Sequence, residues 1–188
     1  MVLILIFDGM STKNAFSIMM NAPQKSDRKT KSGYAILKGS SKMEEDICYL
    51  LQFDGLSEPN PGESSGGAIL YSPSRNPVFE RGEYIDTATN NQAEYTGLLV
   101  GLQSAIEYGI KNILIEGDSQ LVVFQLEGRW QIKNEALRKL NTEIRDLFSN
   151  FDFIAIRHIY REFNTESDRI TNEVIKEKEC FIKEYDLN

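Results

Sequence analysis

A chain of 188 residues with 41% hydrophobic content and a formal charge of −7 is long enough for one well-packed domain plus an extension, which excludes both a disordered polyanion and a membrane bundle. The charge is unevenly placed: residues 1–42 hold seven Lys/Arg against two acids, or +5, and residues 43–188 hold 14 basic and 26 acidic residues, or −12. So acidic a body is a poor match for nucleic acid unless cations or the basic segment offset its carboxylates. Cys48 and Cys180 fit no metal-ligand spacing and read as two reduced thiols of an intracellular protein. The apolar run 2–7 is too short for a signal peptide core or a membrane span, so neither export nor membrane anchoring is expected.

In chain order, residues 1–7 predict a short strand. Asn14-Ala-Phe-Ser-Ile-Met-Met20 predicts one or two amphipathic turns whose Phe16, Ile18, Met19 and Met20 form a compact apolar cluster. Such a cluster suits the groove of a protein partner or packing back on the domain. Residues 25–42 are polar and basic and carry Gly33 and Gly39, as a flexible linker does. Ile6-Phe-Asp8-Gly-Met-Ser is a near-copy of Gln52-Phe-Asp54-Gly-Leu-Ser, but only the second is followed by a turn and a return strand, so Asp8 is read as non-catalytic. The chain thus divides into a basic, flexible extension over 1–45, a folded domain over 46–180 and a tail over 181–188, with a monomer expected.

From residue 47 the elements are plain. Strands are predicted over 47–53, 68–71 and 78–85, with Pro73 and Pro77 turning between the last two. Apolar residues at 95, 98, 99, 102, 105 and 106 have helical spacing, and Gly109 supplies the stop. A buried-type strand over 112–116 leads to a helix over 119–127 and a second over 134–148. A strand over 153–159 and a closing helix over 166–178 complete the domain. The order β-β-β-α-β-α-α-β-α makes an α/β fold: a three-strand antiparallel meander, then crossovers that need parallel pairing.

Four acids occupy suggestive positions. Asp54 ends a strand that should be central, where a carboxylate is costly to bury unless it meets a metal or a donor; read alone, it is a turn-starting Asp before Gly. Glu94 lies one turn into a helix near the pair Asn90-Asn91, where it could simply complement the helix dipole. Asp118 follows Ile113-Leu-Ile and precedes a helix, which also suits an N-cap. Asp168 opens the last helix as an ordinary first-turn acid. Taken together, four carboxylates at strand ends and helix starts are what a two-metal phosphodiesterase site requires, with ions roughly 3.5–4 Å apart and hard oxygen ligands that suit magnesium.

These acids and their neighbours resemble type 1 ribonuclease H. The resemblance is carried by Phe53-Asp54-Gly55, Asn60-Pro-Gly62, Gly66-Gly67-Ala68, Thr89-Asn90-Asn91-Gln-Ala-Glu94-Tyr95, Asp118-Ser119-Gln120 and Asn164-Thr-Glu-Ser-Asp168, and it covers residues 47–177. Gln125-Leu-Glu-Gly128-Arg-Trp130 and His158-Ile-Tyr-Arg161-Glu162-Phe-Asn164 are similar to the archaeal and plant branch. The resemblance implies a five-stranded mixed sheet flanked by helices and endonucleolytic cleavage of RNA in RNA/DNA hybrids, leaving 5′-phosphate and 3′-hydroxyl ends. It implies two Mg²⁺ ions, with Mn²⁺ able to substitute, held by Asp54, Glu94, Asp118 and Asp168. Asn60, Asn91 and Gln120 fall where the family contacts the hybrid in its minor groove, and Thr89 and Asn90 where it approaches the DNA strand. Gly66 and Gly67 are read as close backbone packing. The bacterial branch carries a histidine in the loop before the last acid; here the loop is Tyr160-Arg161-Glu162-Phe163, leaving Arg161 or Glu162 to serve in its place. His158 is read as structural, and Trp130 as packed rather than groove-facing.

Overall fold

The computed structural model describes residues 33–40 and 47–186. The expectations for residues 1–7, Asp8 and residues 14–20 lie outside the described residues. Seven strands form one mixed sheet: β1 (Ala35–Lys38), β2 (Tyr49–Glu58), β3 (Gly62–Tyr71), β4 (Pro77–Ala88), β5 (Asn112–Gly117), β6 (Phe153–His158) and β7 (Phe181–Glu184). The helices are α1 (Asn90–Glu107), α2 (Gln120–Leu126), α3 (Glu135–Leu147) and α4 (Thr165–Glu177). The strand order is β1-β6-β5-β2-β3-β4-β7. Within it, β2-β3-β4 is the expected antiparallel meander, and β5 and β6 join β2 in parallel.

Five strands were expected and seven are present among the described residues, because a strand is added at each edge. Residues 35–38 belong to the stretch read as linker, yet Tyr34-Ala-Ile-Leu is an apolar run. Tyr34 is buried and sets its ring edge-on to Phe153 with centroids 6.5 Å apart. Lys38, counted with the basic arm, is committed to the fold: its ammonium donates to the carbonyls of Phe148 (3.0 Å), Ser149 (3.2 Å) and Phe151 (2.6 Å), satisfying carbonyls left over at a helix end. At the other edge, β7 comes from the expected tail and pairs antiparallel with β4. It is secured by Glu80, almost fully buried, which accepts from Arg169 Nη2 at 2.8 Å and from the Tyr185 hydroxyl.

The main core lies between the sheet and α1 to α3, with Phe53, Leu98, Leu102, Ile113, Ile115 and Ile156 fully buried. A smaller cluster of Ile69, Ile170 and Val174 holds α4 against the opposite face. Glycines set how closely α1 approaches. A Cβ on Gly55 would stand 2.0 Å from the Glu94 backbone nitrogen, and one on Gly97 would stand 2.3 Å from the Asp54 carbonyl oxygen. Gly66 likewise faces the Gly97 backbone, so the glycine pair serves close packing, as expected. Among the described residues no helix is long and apolar enough to cross a membrane. Cys48 is buried, Cys180 is exposed, and neither forms a disulfide.

Candidate active site

β2 was expected to end at Asp54; it continues to Glu58. The reason is β3, which begins at Gly62 rather than near residue 68 and pairs with β2 through Glu58↔Glu63. What ends near Asp54 is the pairing with β5, at Phe53↔Gly117. Asp54 and Asp118 therefore sit side by side where the parallel strands stop, at the carboxyl ends of β5 and β6 where open sheets make their crevices. Asp54 is 8% exposed, and its Oδ1 accepts the Gly55 N–H at 2.8 Å.

Glu94 reaches the same place from α1. Thr89, not Asn90 or Asn91, caps this helix, in a reciprocal capping box with Gln92, which is the arrangement that satisfies two orphan donors at once. The Asn90 side chain is thereby left to donate to Glu94 Oε1 at 3.1 Å, while Glu94 Oε2 is buried with no hydrogen-bond partner. Ser119 caps α2, accepting from Val122 N at 3.4 Å. That removes the plain capping reading of Asp118, whose carboxylate instead accepts from Asn164 Nδ2 at 2.7 Å. Asp168, in the first turn of α4, pairs with Arg161 at 2.6 Å.

The charges of these acids bear on one another. Burial above all, then repulsion from Asp118 and Asp168, raises Asp54 from 3.8 to about 7, against the pull of the Gly55 N–H and Arg161. Glu94 rises from 4.5 to about 8, again mainly by burial, with Asp54 and Asp118 adding to it and the Ser119 hydroxyl opposing. Among the described residues no three His, Cys, Asp or Glu side chains already converge at ion-binding distance. An all-carboxylate donor set, two members held from ionising and one bearing an unpartnered buried oxygen, nevertheless fits a hard divalent cation, which offsets the repulsion and supplies the missing partner.

The expected substrate residues line the rim beside these acids. Asn60, exposed in the β2–β3 turn, accepts the Asn90 backbone N–H on its Oδ1 at 3.0 Å. The turn is held to the end of β4 by the Ser57 and Ser64 hydroxyls, which donate to the Ala88 carbonyl at 2.9 and 3.2 Å. Asn91 and Gln120 are exposed in the first turns of α1 and α2. Thr89 is half-buried and its hydroxyl is spent on Gln92.

The family described as reverse transcriptase-like matches residues 52–174. Ribonuclease HI of Halobacterium salinarum is 41% identical over 123 residues, 65% of this chain and 62% of its own length. The crystal structure of RNase H1 from the same halophilic archaeon superposes with a TM-score of 0.67 at 39% identity, covering 69% of this chain and 98% of that one. The chain belongs to the type 1 ribonuclease H family. LC11-RNase H1, solved in complex with an RNA/DNA hybrid, matches with a TM-score of 0.66 at 26% identity, over 69% of this chain and 98% of that one.

Several residues of this chain carry roles that the sequence reading did not assign. Asn164, 1% exposed, donates to the Phe53 carbonyl at 2.9 Å as well as to Asp118, and its Oδ1 accepts from Ser167 Oγ at 2.6 Å. One amide thus ties β2, the end of β5 and α4 together; its place three residues before Ser167, at a helix start, was the available signal. Beneath the site, Glu116 is bound by Arg157 at 2.7 Å and by Gln52 at 2.8 Å. These three are in register across β2, β5 and β6, and Gln52 and Glu116 lie two residues before Asp54 and Asp118. The His158 Nε2, read from the sequence as structural, lies 3.1 Å from the Asp118 carbonyl. Trp130 packs its edge on Phe124 yet remains 46% exposed.

Asn164→Ala is expected to destabilise the protein by about 2–3 kcal/mol, because it strands the Phe53 carbonyl and a carboxylate oxygen. Urea denaturation of the variant measures this, and an unchanged midpoint would remove Asn164 from the account.

Proposed function

We propose that this ribonuclease H is an intracellular, monomeric endonuclease that hydrolyses the RNA strand of RNA/DNA hybrids, using two Mg²⁺ ions and leaving 5′-phosphate and 3′-hydroxyl ends. The observation that carries the reading is the set of Asp54, Glu94, Asp118 and Asp168, brought from four elements to one end of the sheet, with Asp54 and Glu94 raised to about 7 and about 8 and an unpartnered oxygen on Glu94. These four would hold the ions, and Mn²⁺ would suit the same oxygens. When bound, a pair of divalent ions activates water and stabilises the leaving oxygen.

The chain's own part is orientation. Each carboxylate has a neighbour that fixes it: the Gly55 N–H for Asp54, Asn90 for Glu94, Asn164 for Asp118 and Arg161 for Asp168. Asn60, Asn91 and Gln120 supply exposed amides for the hybrid's minor groove, where contact with the 2′-hydroxyl separates RNA from DNA. Thr89 and Asn90 lie at the DNA-strand side; with the Thr89 hydroxyl engaged in its cap, Asn90 is the freer to make that contact.

The decisive assay is cleavage of a hybrid duplex with Mg²⁺, beside double-stranded RNA and a duplex with a single ribonucleotide, with Asp118→Asn as control. Cleavage of the hybrid that Asp118→Asn abolishes supports the reading; binding without cleavage by the unaltered chain would make it a hybrid-binding module instead. Arg161, exposed and joined to Asp168, is assigned to product release in place of the absent histidine. Arg161→Ala is expected to lower the steady-state rate by about 10-fold while leaving a single turnover nearly unchanged, since release often limits such enzymes. Burst kinetics separate the two.

A further inference from the structure

Gln52, Glu116 and Arg157 stand side by side across β2, β5 and β6. Their chain neighbours Leu51, Phe53, Ile115 and Ile156 point into the main core, so by the alternation of strands these three lie on the other face, the one that carries α4. Glu116 is 1% exposed and Gln52 8%, a depth at which polar groups are kept paired. Both carboxylate oxygens of Glu116 are taken, Oε1 by Arg157 Nε at 2.7 Å and Oε2 by Gln52 Nε2 at 2.8 Å. The same Gln52 nitrogen donates its second N–H to the Phe163 carbonyl at 3.3 Å.

The constraint passes along this row in one direction. Arg157 is always charged and only donates, so it demands an acceptor and fixes the Glu116 carboxylate. A carboxylate only accepts, so Gln52 must turn its NH2 and not its carbonyl toward Glu116. That orientation is what leaves an N–H for Phe163. Phe163 closes the short turn Arg161–Phe163. The first residue of the turn pairs with Asp168, and the residue after it, Asn164, donates to the Phe53 carbonyl and to Asp118. We infer that Gln52 is a positioning residue for hybrid cleavage: oriented by Glu116 and Arg157, it pins the Phe163 carbonyl and so holds the turn that presents Arg161 beside Asp168. It acts through Arg161 rather than on the hybrid itself. This inference rests on the hybrid-nuclease reading and on the release role given there to Arg161.

The test uses the full chain and two near-isosteric variants. Gln52→Met keeps the length of the side chain and removes both donors. Glu116→Gln leaves Gln52 in place but turns it over. The new amide must give its oxygen to Arg157, so its NH2 faces Gln52 and takes the Gln52 carbonyl, which cannot bond the Phe163 carbonyl. Hydrogen exchange is read at the Phe163 and Asn164 amides, which donate to the Tyr160 and Arg161 carbonyls. It is expected to quicken by about 10-fold in both variants, with the amides of α3, on the opposite face, unchanged. Steady-state hybrid cleavage is expected to fall by about 5-fold with a single turnover nearly unchanged. Combined with Arg161→Ala, either variant should add little further loss, because all act through one group. Unchanged exchange at Phe163 and Asn164, equal quickening in α3, or losses that multiply with that of Arg161→Ala would each overturn the inference. Failure of the nuclease reading would appear differently, as no hybrid cleavage by the unaltered chain, and exchange would still decide whether Gln52 holds the turn.

Discussion

Asp54→Asn is expected to lower the rate of hybrid hydrolysis by about a thousandfold or more, roughly 4 kcal/mol of barrier, and yet to make the metal-free protein more stable. The two effects have one origin. Asp54 is buried, and its carboxyl is raised from 3.8 to about 7, so the folded state disfavours the charged form that the proposed metal ions would need. Between the unfolded value near 4 and the folded value near 7, the folded chain holds more protons than the unfolded one. Its stability therefore falls as pH rises through that window, and Glu94 extends the fall toward about 8. Asparagine keeps an oxygen for the Gly55 N–H and carries no charge. In chelator at about pH 8 we expect it to gain about 2 kcal/mol, with a flatter stability profile between about pH 4 and 8. Thermal melts across pH in chelator measure this. A variant no more stable than the parent at alkaline pH would contradict the raised carboxyl.

Gly55→Ala should be costlier than its single methyl group suggests. Its Cβ would stand 2.0 Å from the Glu94 nitrogen and 2.3 Å from the Ala93 carbonyl carbon, and backbone cannot swing aside as a side-chain tip can. α1 must lift from β2, opening a well-packed interface and carrying Glu94 away from Asp54. A loss of about 3 kcal/mol is expected, with hybrid cleavage falling at least 100-fold even where the protein remains folded. Gly128→Ala, at φ 76° in open space, is the comparison: it strains only the local turn and should cost about 1 kcal/mol with activity kept. Equal melting temperatures for the two variants would disprove the contact argument.

Among the described residues, the central five strands and the four α-helices were legible because each presents its own period or stop signal, as with the 3.6-residue pattern from Tyr95 to Ile106 closed by Gly109. The four acids stood out for the same local reason, being set at element ends inside motifs of unusual density. What escaped was non-local. β1 and β7 are four-residue strands, too short to show periodicity, and they exist through pairings with β6 and β4 that no window along the chain contains. The extent of β2 past Asp54 was likewise decided by where β3 begins. Asn164 appeared as a motif letter, and its work of joining the Phe53 carbonyl to Asp118 became visible only in three dimensions. Ser119 shows the finer error: the cap lies one residue past Asp118, the position the sequence favoured, and that shift frees Asp118 for the site, as the Thr89 cap leaves Asn90 free for Glu94.

The clasp around Glu80 has a practical consequence for anyone shortening this chain. The family match stops at residue 174, before β7, so a domain trimmed to that boundary would lose the strand pairing Phe79↔Glu184 through Gly82↔Phe181. The outer edge of β4 would then present bare amides and carbonyls to solvent, a template on which a second copy can add its own strand. Poor solubility of such a trimmed protein would reflect that exposed edge rather than a defect of the catalytic fold. β7 itself carries exposed charges, Lys183 and Glu184 among them, of the kind that disfavours edge-to-edge pairing.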